Sequence, residues 1–336
     1  MGTKLGDVVT AETISLNELA RKAIAIDAFN TLYQFLATIR QPDGTPLQDF
    51  KGRVTSHLTG LFYRTLNLLE HEIRPVYVFD GESPLLKAAE IERRRMARDA
   101  AYEDWIQARE EGRIEDARKA AQGSSRLSGE MVEESKLLLQ ALGVPCVQAP
   151  SEGEALAAQM ARSGEVWASA SQDYDSLLYG SPRVIRNLSV SGRRRASRGG
   201  GFKTVLPEVV DLEVNLRVLG LTRVQLIDVA ILLGTDYNEK VAGVGWKKAV
   251  KLIKQHGRLE TAAEAAKIRL DFSVDEIRNI FLNPPSIETP QLHWTDPNED
   301  AVLRILCREH NFSEERVNTG LSRLSGSRQS ALSDFM

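Results

Sequence analysis

The stretch AIAID at residues 23–27 decides the fold of this chain, because four apolar residues run directly into a carboxylate. A short apolar run of this kind is typical of a strand that is buried on both faces of a parallel sheet. Similar runs follow at 75–79, 145–149 and 165–170, and they alternate with helical patterns such as 53–71, 130–142 and 153–162. The alternation predicts an α/β fold with a mainly parallel central sheet flanked by helices.

Acidic residues stand where these apolar runs end, and one more follows the apolar helical stretch 229–233. In an open parallel sheet the carboxyl ends of the strands meet at one edge, so acids placed there converge although they are far apart in the chain. The full set is Asp27, Asp80, Glu152, Glu154, Asp173, Asp175 and Asp236.

This set predicts a metal site. So many like charges gathered without cations would have strongly raised carboxyl pKa values and would destabilise the protein. Oxygen ligands in excess, with no His or Cys beside them, suit two Mg²⁺ ions, for which Mn²⁺ can substitute. Paired ions of this kind hydrolyse phosphodiesters. Each acid also has a structural interpretation, since an aspartate after a strand often forms a turn and Ser151-x-x-Glu154 fits a helix capping box.

The composition excludes several classes of protein. At 336 residues with no evident linker, the chain lies near the upper limit for a single domain. No apolar run is long enough to span a bilayer, and the first residues lack the form of a signal peptide, so we expect a soluble intracellular protein. The two cysteines, Cys146 and Cys307, lie far apart in apolar surroundings, which favours core positions over a disulfide or a metal site.

Basic residues are concentrated near the acids, although the net charge of the chain is −3. One cluster lies between 176 and 207, a second follows Asp80 and a third follows Asp236. A single run of charge is usually a solvated surface, but three clusters beside an anionic centre predict a track that binds phosphates. The clusters are Arg183, Arg186, Arg193, Arg194, Arg195, Arg198 and Lys203; Lys87, Arg93, Arg94, Arg95 and Arg98; and Lys247, Lys248, Lys251 and Lys254.

Six local strings resemble signature blocks of the flap endonuclease family of structure-specific 5' nucleases. They are IAIDAFNTLYQFL (24–36), RPVYVFDGESPLLK (74–87), APSEGEALAAQMA (149–161), SQDYDSLLYG (171–180), LLGTDYNEKVAGVGWKKA (232–249) and HNFSEERV (310–317). The resemblance covers nearly the whole chain. It implies a PIN-like 5' nuclease core within a single domain at 1–326, with a helical arch at about 84–130, a helix-two-turn-helix region at 222–260 and a disordered tail at 327–336. The seven acids match the metal ligands of the family, directly or through water.

The resemblance also implies roles for basic and aromatic residues. Lys87 and Arg94 match the catalytic cations of the helical gateway, which contact the scissile phosphate, and Tyr33 matches an aromatic on which a nucleotide stacks. Other positions match contacts to DNA, five of which form a pocket for a one-nucleotide 3' flap. The pocket residues are Leu47, Gln48, Thr55, Phe312 and Arg316, and the remaining DNA contacts are Gly2, Arg64, Arg186, Gly243, Gly245, Lys247 and Lys248.

Two features of the resemblance concern partners other than DNA. In the family, the turn at Gly243 and Gly245 grips the duplex with the help of a monovalent ion such as K⁺, but here Lys240 stands where a serine would supply a ligand. The tail resembles the Q-x-x-L-x-x-F-F motif that docks on the replication sliding clamp, through Gln329, Leu332 and Phe335, with Met336 in place of the second aromatic.

These observations together predict a monomeric, Mg²⁺-dependent endonuclease that removes 5' flaps from branched DNA and has a 5'–3' exonuclease activity. Okazaki fragment maturation and long-patch base excision repair are the implied processes. Three alternatives stay open: a 5' exonuclease or bubble-cutting relative with the same core, a catalytically silent DNA-junction scaffold, and a PIN-like ribonuclease. The scaffold would not need all seven acids, and the ribonuclease would not need the glycine turn, the flap pocket or the clamp-binding tail.

Overall fold

The computed structural model describes residues 3–188, 192–195 and 202–333. Its centre is a seven-stranded sheet in which the five strands from β6 to β4 run parallel, while β9 lies antiparallel to β6 and to β1. Across the sheet the order is β1 (Glu12–Thr13), β9 (Glu208–Asp211), β6 (Arg183–Arg186), β5 (Ala168–Ala170), β2 (Ala23–Asp27), β3 (Arg74–Phe79) and β4 (Cys146–Gln148). A separate hairpin pairs β7 (Gly192–Arg195) with β8 (Phe202–Val205).

The strand β2 shows why the apolar runs became the centre of the sheet. Its alternate residues face opposite sides, so that Ile24 and Ile26 belong to one hydrophobic core and Ala25 to another. Both faces are therefore buried, as the unbroken apolar run predicted. The four strands expected from the sequence are confirmed as β2, β3, β4 and β5.

Helices cover both faces of this sheet. They are α1 (Ala28–Thr38), α2 (Ser56–Glu70), α3 (Ala88–Glu110), α4 (Ile114–Gly123), α5 (Gly129–Ala141), α6 (Gly153–Ser163), α7 (Asp175–Leu178), α8 (Leu212–Leu219), α9 (Arg223–Leu233), α10 (Trp246–His256), α11 (Leu259–Ala265), α12 (Val274–Leu282), α13 (Glu299–Leu303) and α14 (Glu314–Ser333), with a π-helical segment at Arg304–Glu309. The predicted helices are confirmed as α2, α5 and α6. One face packs on α1, α2, α5 and α14, and the other packs on α6 and α9.

The helices α3 and α4 lie within residues 84–130, the segment predicted to form the arch, and we call this segment the arch. Only Trp105 and Ala108 of α3 are buried, and they form a small separate core with Ala117 and Ala121 of α4. Trp105 also donates a hydrogen bond from Nε1 to the carbonyl of Asp43, at 3.1 Å. The pair is thus anchored to the body of the protein by a few side chains, as its highly charged sequence indicated.

The end of the chain differs from expectation, because α14 continues through Ser333 whereas the sequence predicted a disordered tail from 327. Between Leu324 and Ser333 there is no proline, and Arg328, Gln329, Ala331 and Leu332 favour helix, which offsets the unfavourable Gly326. Both cysteines are free and partly buried against the main core. No helix within the described part of the chain is long and apolar enough to cross a membrane.

Candidate metal centre and nucleic-acid interface

The structure brings the seven acids to one edge of the sheet. Asp27 ends β2, Asp80 follows β3, the two glutamates follow β4, and the next two aspartates follow β5. Because these four strands are parallel, their carboxyl ends open on the same side. Asp236 enters from the turn after α9 and contacts the arch residues that lie over this edge.

Backbone geometry fixes Asp80. The amide of Gly153, at the start of α6, donates a hydrogen bond to Asp80 Oδ1 at 2.7 Å. A Cβ atom added at Gly153 would lie 2.7 Å from that same oxygen, so no larger residue fits there without moving the carboxylate. The alternative interpretation of Ser151-x-x-Glu154 as a capping box is wrong, since Glu152 occupies the N-cap of α6 and no side chain caps this helix. Glu154 is therefore available to the site.

Two further acids are joined by one asparagine. Asp27 caps α1 by accepting a hydrogen bond from the backbone of Asn30, at 2.9 Å. The side chain of Asn30 in turn donates to Asp173 Oδ2 at 3.2 Å. One oxygen of Asp27 caps the helix, and the other accepts a hydrogen bond from Ser171 Oγ at 3.5 Å, beside the acids that follow β5.

The N-terminal segment holds Asp175. The backbone amide of Thr3 donates to Asp175 Oδ1 at 2.8 Å, and its hydroxyl donates to the same oxygen. On the other side of the 173–175 segment, the guanidinium of Arg186 lies 4.4 Å from the ring centre of Tyr174 and donates to its hydroxyl. The predicted DNA contact Arg186 therefore also braces the residue between two site acids.

Burial and mutual repulsion raise the pKa values of several acids at this edge of the sheet. Burial, reinforced by Glu152, raises the pKa of Asp80 to about 6, and burial with repulsion from Asp236 raises the pKa of Asp175 to about 6. Burial and neighbouring carboxylates also hold the pKa values of Asp27 and Glu154 well above their usual range. Charged acids therefore need cations here.

Two cationic side chains of the arch, Lys87 and Arg94, supply part of this positive charge. Lys87 contacts Glu152 and lies 3.3 Å from Asp236, and Arg94 lies 2.5 Å from the other oxygen of Asp236. Burial alone would lower the pKa of Lys87, but the attraction of Glu152 and Asp236 raises it above its usual value. Both predicted gateway residues thus point into the acidic edge.

The donor set fits divalent ions such as Mg²⁺. All seven side chains offer hard oxygen ligands, and Glu154 Oε1 is buried without any hydrogen-bond partner. Within the described residues, no three acidic, histidine or cysteine side chains are already gathered closely enough to hold an ion. Lys87 contacts Glu152 and Asp236, and Arg94 contacts Asp236.

Two further residues of the predicted site lie on the helices α1 and α2. Tyr33, on α1, is partly buried, and the guanidinium of Arg98 lies 5.8 Å from its ring centre. Arg64 lies on α2 and is partly buried. Arg98 extends from the arch, so the aromatic predicted for nucleotide stacking faces an arch cation.

The residues expected to form the 3' flap pocket come from two segments. Residues 47–55 form a short loop in which the amide of Thr55 donates to the carbonyl of Leu47 at 2.8 Å, and Gln48 pairs with Val54. Phe312 lies two residues before α14 and packs against the main core, and Arg316 lies in the first turn of α14 and is exposed. The structure brings both segments together through contacts between 49–53 and 309–311.

The glycine turn before α10 is open to solvent. Gly243 has a φ of 71°, and Gly245 caps α10; a Cβ at either position would meet no atom within 4 Å. The Nζ of Lys248 donates to the carbonyl of Gly243 at 3.3 Å, and the Nζ of Lys247 lies 5.4 Å from the Trp246 ring centre. Lys240 is exposed in the same turn.

Some predicted residues lie outside the part of the chain that the structure describes. Other residues support the site but were not predicted from the sequence. Gly2, Phe335 and Met336 lie outside the described residues, and Gln329 and Leu332 lie on the last turns of α14. Thr3 and Asn30 support site acids but were not predicted. The position of Asn30 three residues after Asp27 is a signal that could have found it; Thr3 offered none, because it meets Asp175 across 172 residues.

Comparison with known proteins agrees with this geometry. Residues 3–101 match the XPG N-terminal domain and residues 143–236 match the XPG I-region. Flap endonuclease 1 of Pyrococcus furiosus is 51% identical over 96% of this chain and 95% of its own, and that of Pyrobaculum aerophilum is 54% identical over 97% and 96%.

Solved structures agree as well. Flap endonuclease-1 from Methanococcus jannaschii superposes with a TM-score of 0.75 at 38% identity, covering 98% of this chain and all of that one. The catalytic core of Rad2 in complex with a DNA substrate gives a TM-score of 0.74 at 25% identity, over 96% of this chain and all of that one.

Proposed function

The chain belongs to the flap endonuclease family of nucleases, and on that premise we propose that it cuts 5' flaps from branched DNA by two-metal-ion hydrolysis. The observation that carries this proposal is the convergence of seven acids, several with strongly raised pKa values, beneath two arch cations. The implied processes are Okazaki fragment maturation and long-patch base excision repair, with exonuclease action from a nick or gap.

The acids would divide the work of holding two Mg²⁺ ions. Asp27, Asp80, Glu152 and Glu154 lie toward β2, β3 and β4, while Asp173, Asp175 and Asp236 lie toward β5 and α9. Such ions, when bound, activate a water for attack and neutralise the leaving oxygen. The protein contributes a fixed scaffold, in which Gly153, Asn30 and Thr3 orient the carboxylates.

Lys87 and Arg94 serve as the catalytic cations of the gateway. Each now lies within ion-pair distance of a site acid, so each reaches the place where a phosphate would approach the carboxylates. A cation held there stabilises the negative charge that develops on the phosphate in the transition state. The arch that carries them is suited to enclosing the 5' strand, because it is joined to the body by few contacts.

DNA shape, rather than sequence, would determine where the enzyme cuts. Duplex DNA would bind at the open turn of Gly243 and Gly245, where free amides at the start of α10 and Lys247 and Lys248 suit a phosphate. A K⁺ ion at this turn would have to bind without the serine that Lys240 replaces. The unpaired 3' nucleotide would occupy the pocket formed by 47–55 and 312–316, and Tyr33, Arg64 and Arg186 would contact the reacting strand.

The C-terminal tail would recruit a sliding clamp. Gln329, Leu332 and Phe335 keep the spacing of a clamp-binding motif, and such a segment binds by placing apolar side chains in a groove. Met336 can fill part of a second aromatic slot through its flexible thioether. The enzyme would otherwise work as a monomer.

A cleavage assay with labelled substrates tests the proposed function. Single-flap and double-flap DNA, a bubble, a blunt duplex and flap RNA are incubated with Mg²⁺, with and without a chelator, and the cut is mapped to the nucleotide. We expect cleavage at the base of DNA flaps that the chelator abolishes. Preferential cutting of the bubble, the blunt duplex or RNA would support the alternative nucleases, and an inert protein would support the scaffold.

A further inference from the structure

The turn at residues 49–52 presents an aromatic side chain to solvent on a rigid support. Phe50 lies at the tip of this turn and is 92% exposed. The amide of Gly52, whose φ is 79°, donates to the carbonyl of Asp49 at 3.0 Å, which closes the turn. The buried Asp49 carboxylate accepts the backbone amides of Lys51 and Arg53, each at 2.9 Å. The position of Phe50 is therefore fixed although its side chain packs on almost nothing.

Contacts to the chain before α14 hold this turn in place. The amide of Phe50 donates to Asn311 Oδ1 at 3.3 Å, and the guanidinium of Arg53 donates to the carbonyl of Glu309. Asn311 itself adopts a φ of 59°, which few non-glycine residues do without support. Phe50 consequently stands at the junction of the two segments that form the proposed 3' flap pocket.

The surroundings of Phe50 suit a nucleic-acid base. Isolated exposed apolar residues are common on proteins and need no explanation by themselves. Here, however, the exposed ring lies on a locked turn beside an exposed lysine, Lys51, and a half-exposed arginine, Arg53. An exposed aromatic ring in a segment that also carries cations is suited to stacking on an unpaired base while the cations meet its phosphates.

We propose that Phe50 is a specificity-determining residue that stacks on the base of the unpaired 3' nucleotide. This inference rests on the proposed 3' flap pocket and adds to it a dependence on the base itself. The enzyme distinguishes a 3' flap that carries a base from an abasic one, and it favours the larger stacking surface of a purine.

Single-turnover cleavage of matched double flaps tests this inference. The 3' nucleotide is adenine, thymine or an abasic analogue, and a single flap lacks it. For the wild-type protein, we expect the abasic analogue to raise the half-saturating enzyme concentration by about tenfold relative to adenine, as expected from the loss of one base–aromatic stack. Phe50→Ala should remove this difference, Phe50→Trp should keep it, and Val218→Ala, which removes another exposed apolar side chain, should behave as wild type.

Each other outcome overturns the inference. If Phe50→Ala leaves the adenine-to-abasic difference intact, or weakens all substrates equally, Phe50 does not stack on the flap base. If Phe50→Ala has no specific effect, but the wild type still prefers double over single flaps and Phe312→Ala erases that preference, the pocket stands and only the role of Phe50 fails. If the wild type shows no preference for double flaps, the proposed pocket fails together with the inference.

Discussion

The proposed cleavage activity depends on single side chains at the acidic edge, because charge there is concentrated and buried. Lys87 faces Glu152 and Asp236 from the arch, and both acids raise its pKa against the opposing effect of burial. A positive charge is therefore fixed where the phosphate would lie. Its contribution should appear in the chemical step more than in DNA binding.

We expect Lys87→Ala to lower the single-turnover rate by about 100- to 1,000-fold, the usual effect of removing one charge-stabilising donor, with little change in affinity for flap DNA. The control is Arg93→Ala, since Arg93 lies on the helix that follows Lys87, is 70% exposed and forms an ion pair with Glu90. Rapid-quench kinetics and fluorescence anisotropy measure the two quantities. An affinity loss as large as the rate loss would make Lys87 an ordinary phosphate contact.

The carboxylate of Glu134, away from the acidic edge, makes the free energy of unfolding depend on pH. Glu134 lies 3.1 Å from His57 and 3.2 Å from His310, both of which are buried. Burial alone would raise the pKa of Glu134, but these hydrogen bonds lower it from 4.5 to about 2. The folded state therefore favours the charged carboxylate more than the unfolded state does, and the resulting stability is present above about pH 4.5.

The stabilising effect of Glu134 should be lost as the pH falls from about 4.5 toward 2. Urea unfolding of the wild type and of Glu134→Gln between pH 6 and pH 3 measures it. We expect the wild type to be the more stable protein at pH 6, and the difference in unfolding free energy to shrink toward pH 3. A difference that stays constant with pH would contradict the pairing with the two histidines.

At the scale of elements, a buried ion pair joins α9 to α12. Arg278 donates to Asp228 Oδ1 at 2.8 Å and 3.0 Å, and the amide of Leu259 donates to the second oxygen at 3.0 Å. Asp228 is completely buried, so removing it would leave an arginine without its buried partner inside the protein. These contacts join α9, the helix that precedes the glycine turn, to α11 and α12.

Asp228→Ala should lower the free energy of unfolding by about 3–5 kcal/mol, the usual cost of breaking a buried pair. Asp275 provides a matched control because it pairs with the same arginine but is 86% exposed. Asp275→Ala should cost about 1 kcal/mol or less. Chemical denaturation measures both, and equal losses would show that the burial of Asp228 is not what matters.

Strands that are buried could be predicted from the sequence, and strands with exposed or charged residues could not. The runs that became β2 and β3 are apolar throughout, and their direction into Asp27 and Asp80 located the acidic edge. By contrast, β6 has arginines at both ends, and β1 has two exposed residues, so neither carries an apolar signal. Contacts such as Thr3 with Asp175 depend on how distant segments pack, and no local pattern encodes them.

For the whole molecule, the tail should act separately from the nuclease domain. Removing residues 329–336 leaves the acidic edge, the arch and the glycine turn intact, because these lie in other segments. We expect the truncated protein to cleave free flap DNA as the full chain does, and to lose stimulation by the matching sliding clamp. Full clamp affinity of the truncated protein in calorimetry would refute the partner assignment.

Calorimetric titration of a divalent metal into the DNA-free protein tests the central claim most directly. Mn²⁺ should bind the wild type at two sites per chain, whereas Asp175→Asn should lose at least one site and all flap cleavage while keeping DNA affinity within a few-fold. Glu165→Gln, an exposed acid beyond α6, should match the wild type. Unchanged two-site binding by Asp175→Asn, or no divalent binding by the wild type, would contradict the assignment of these carboxylates to a two-metal site.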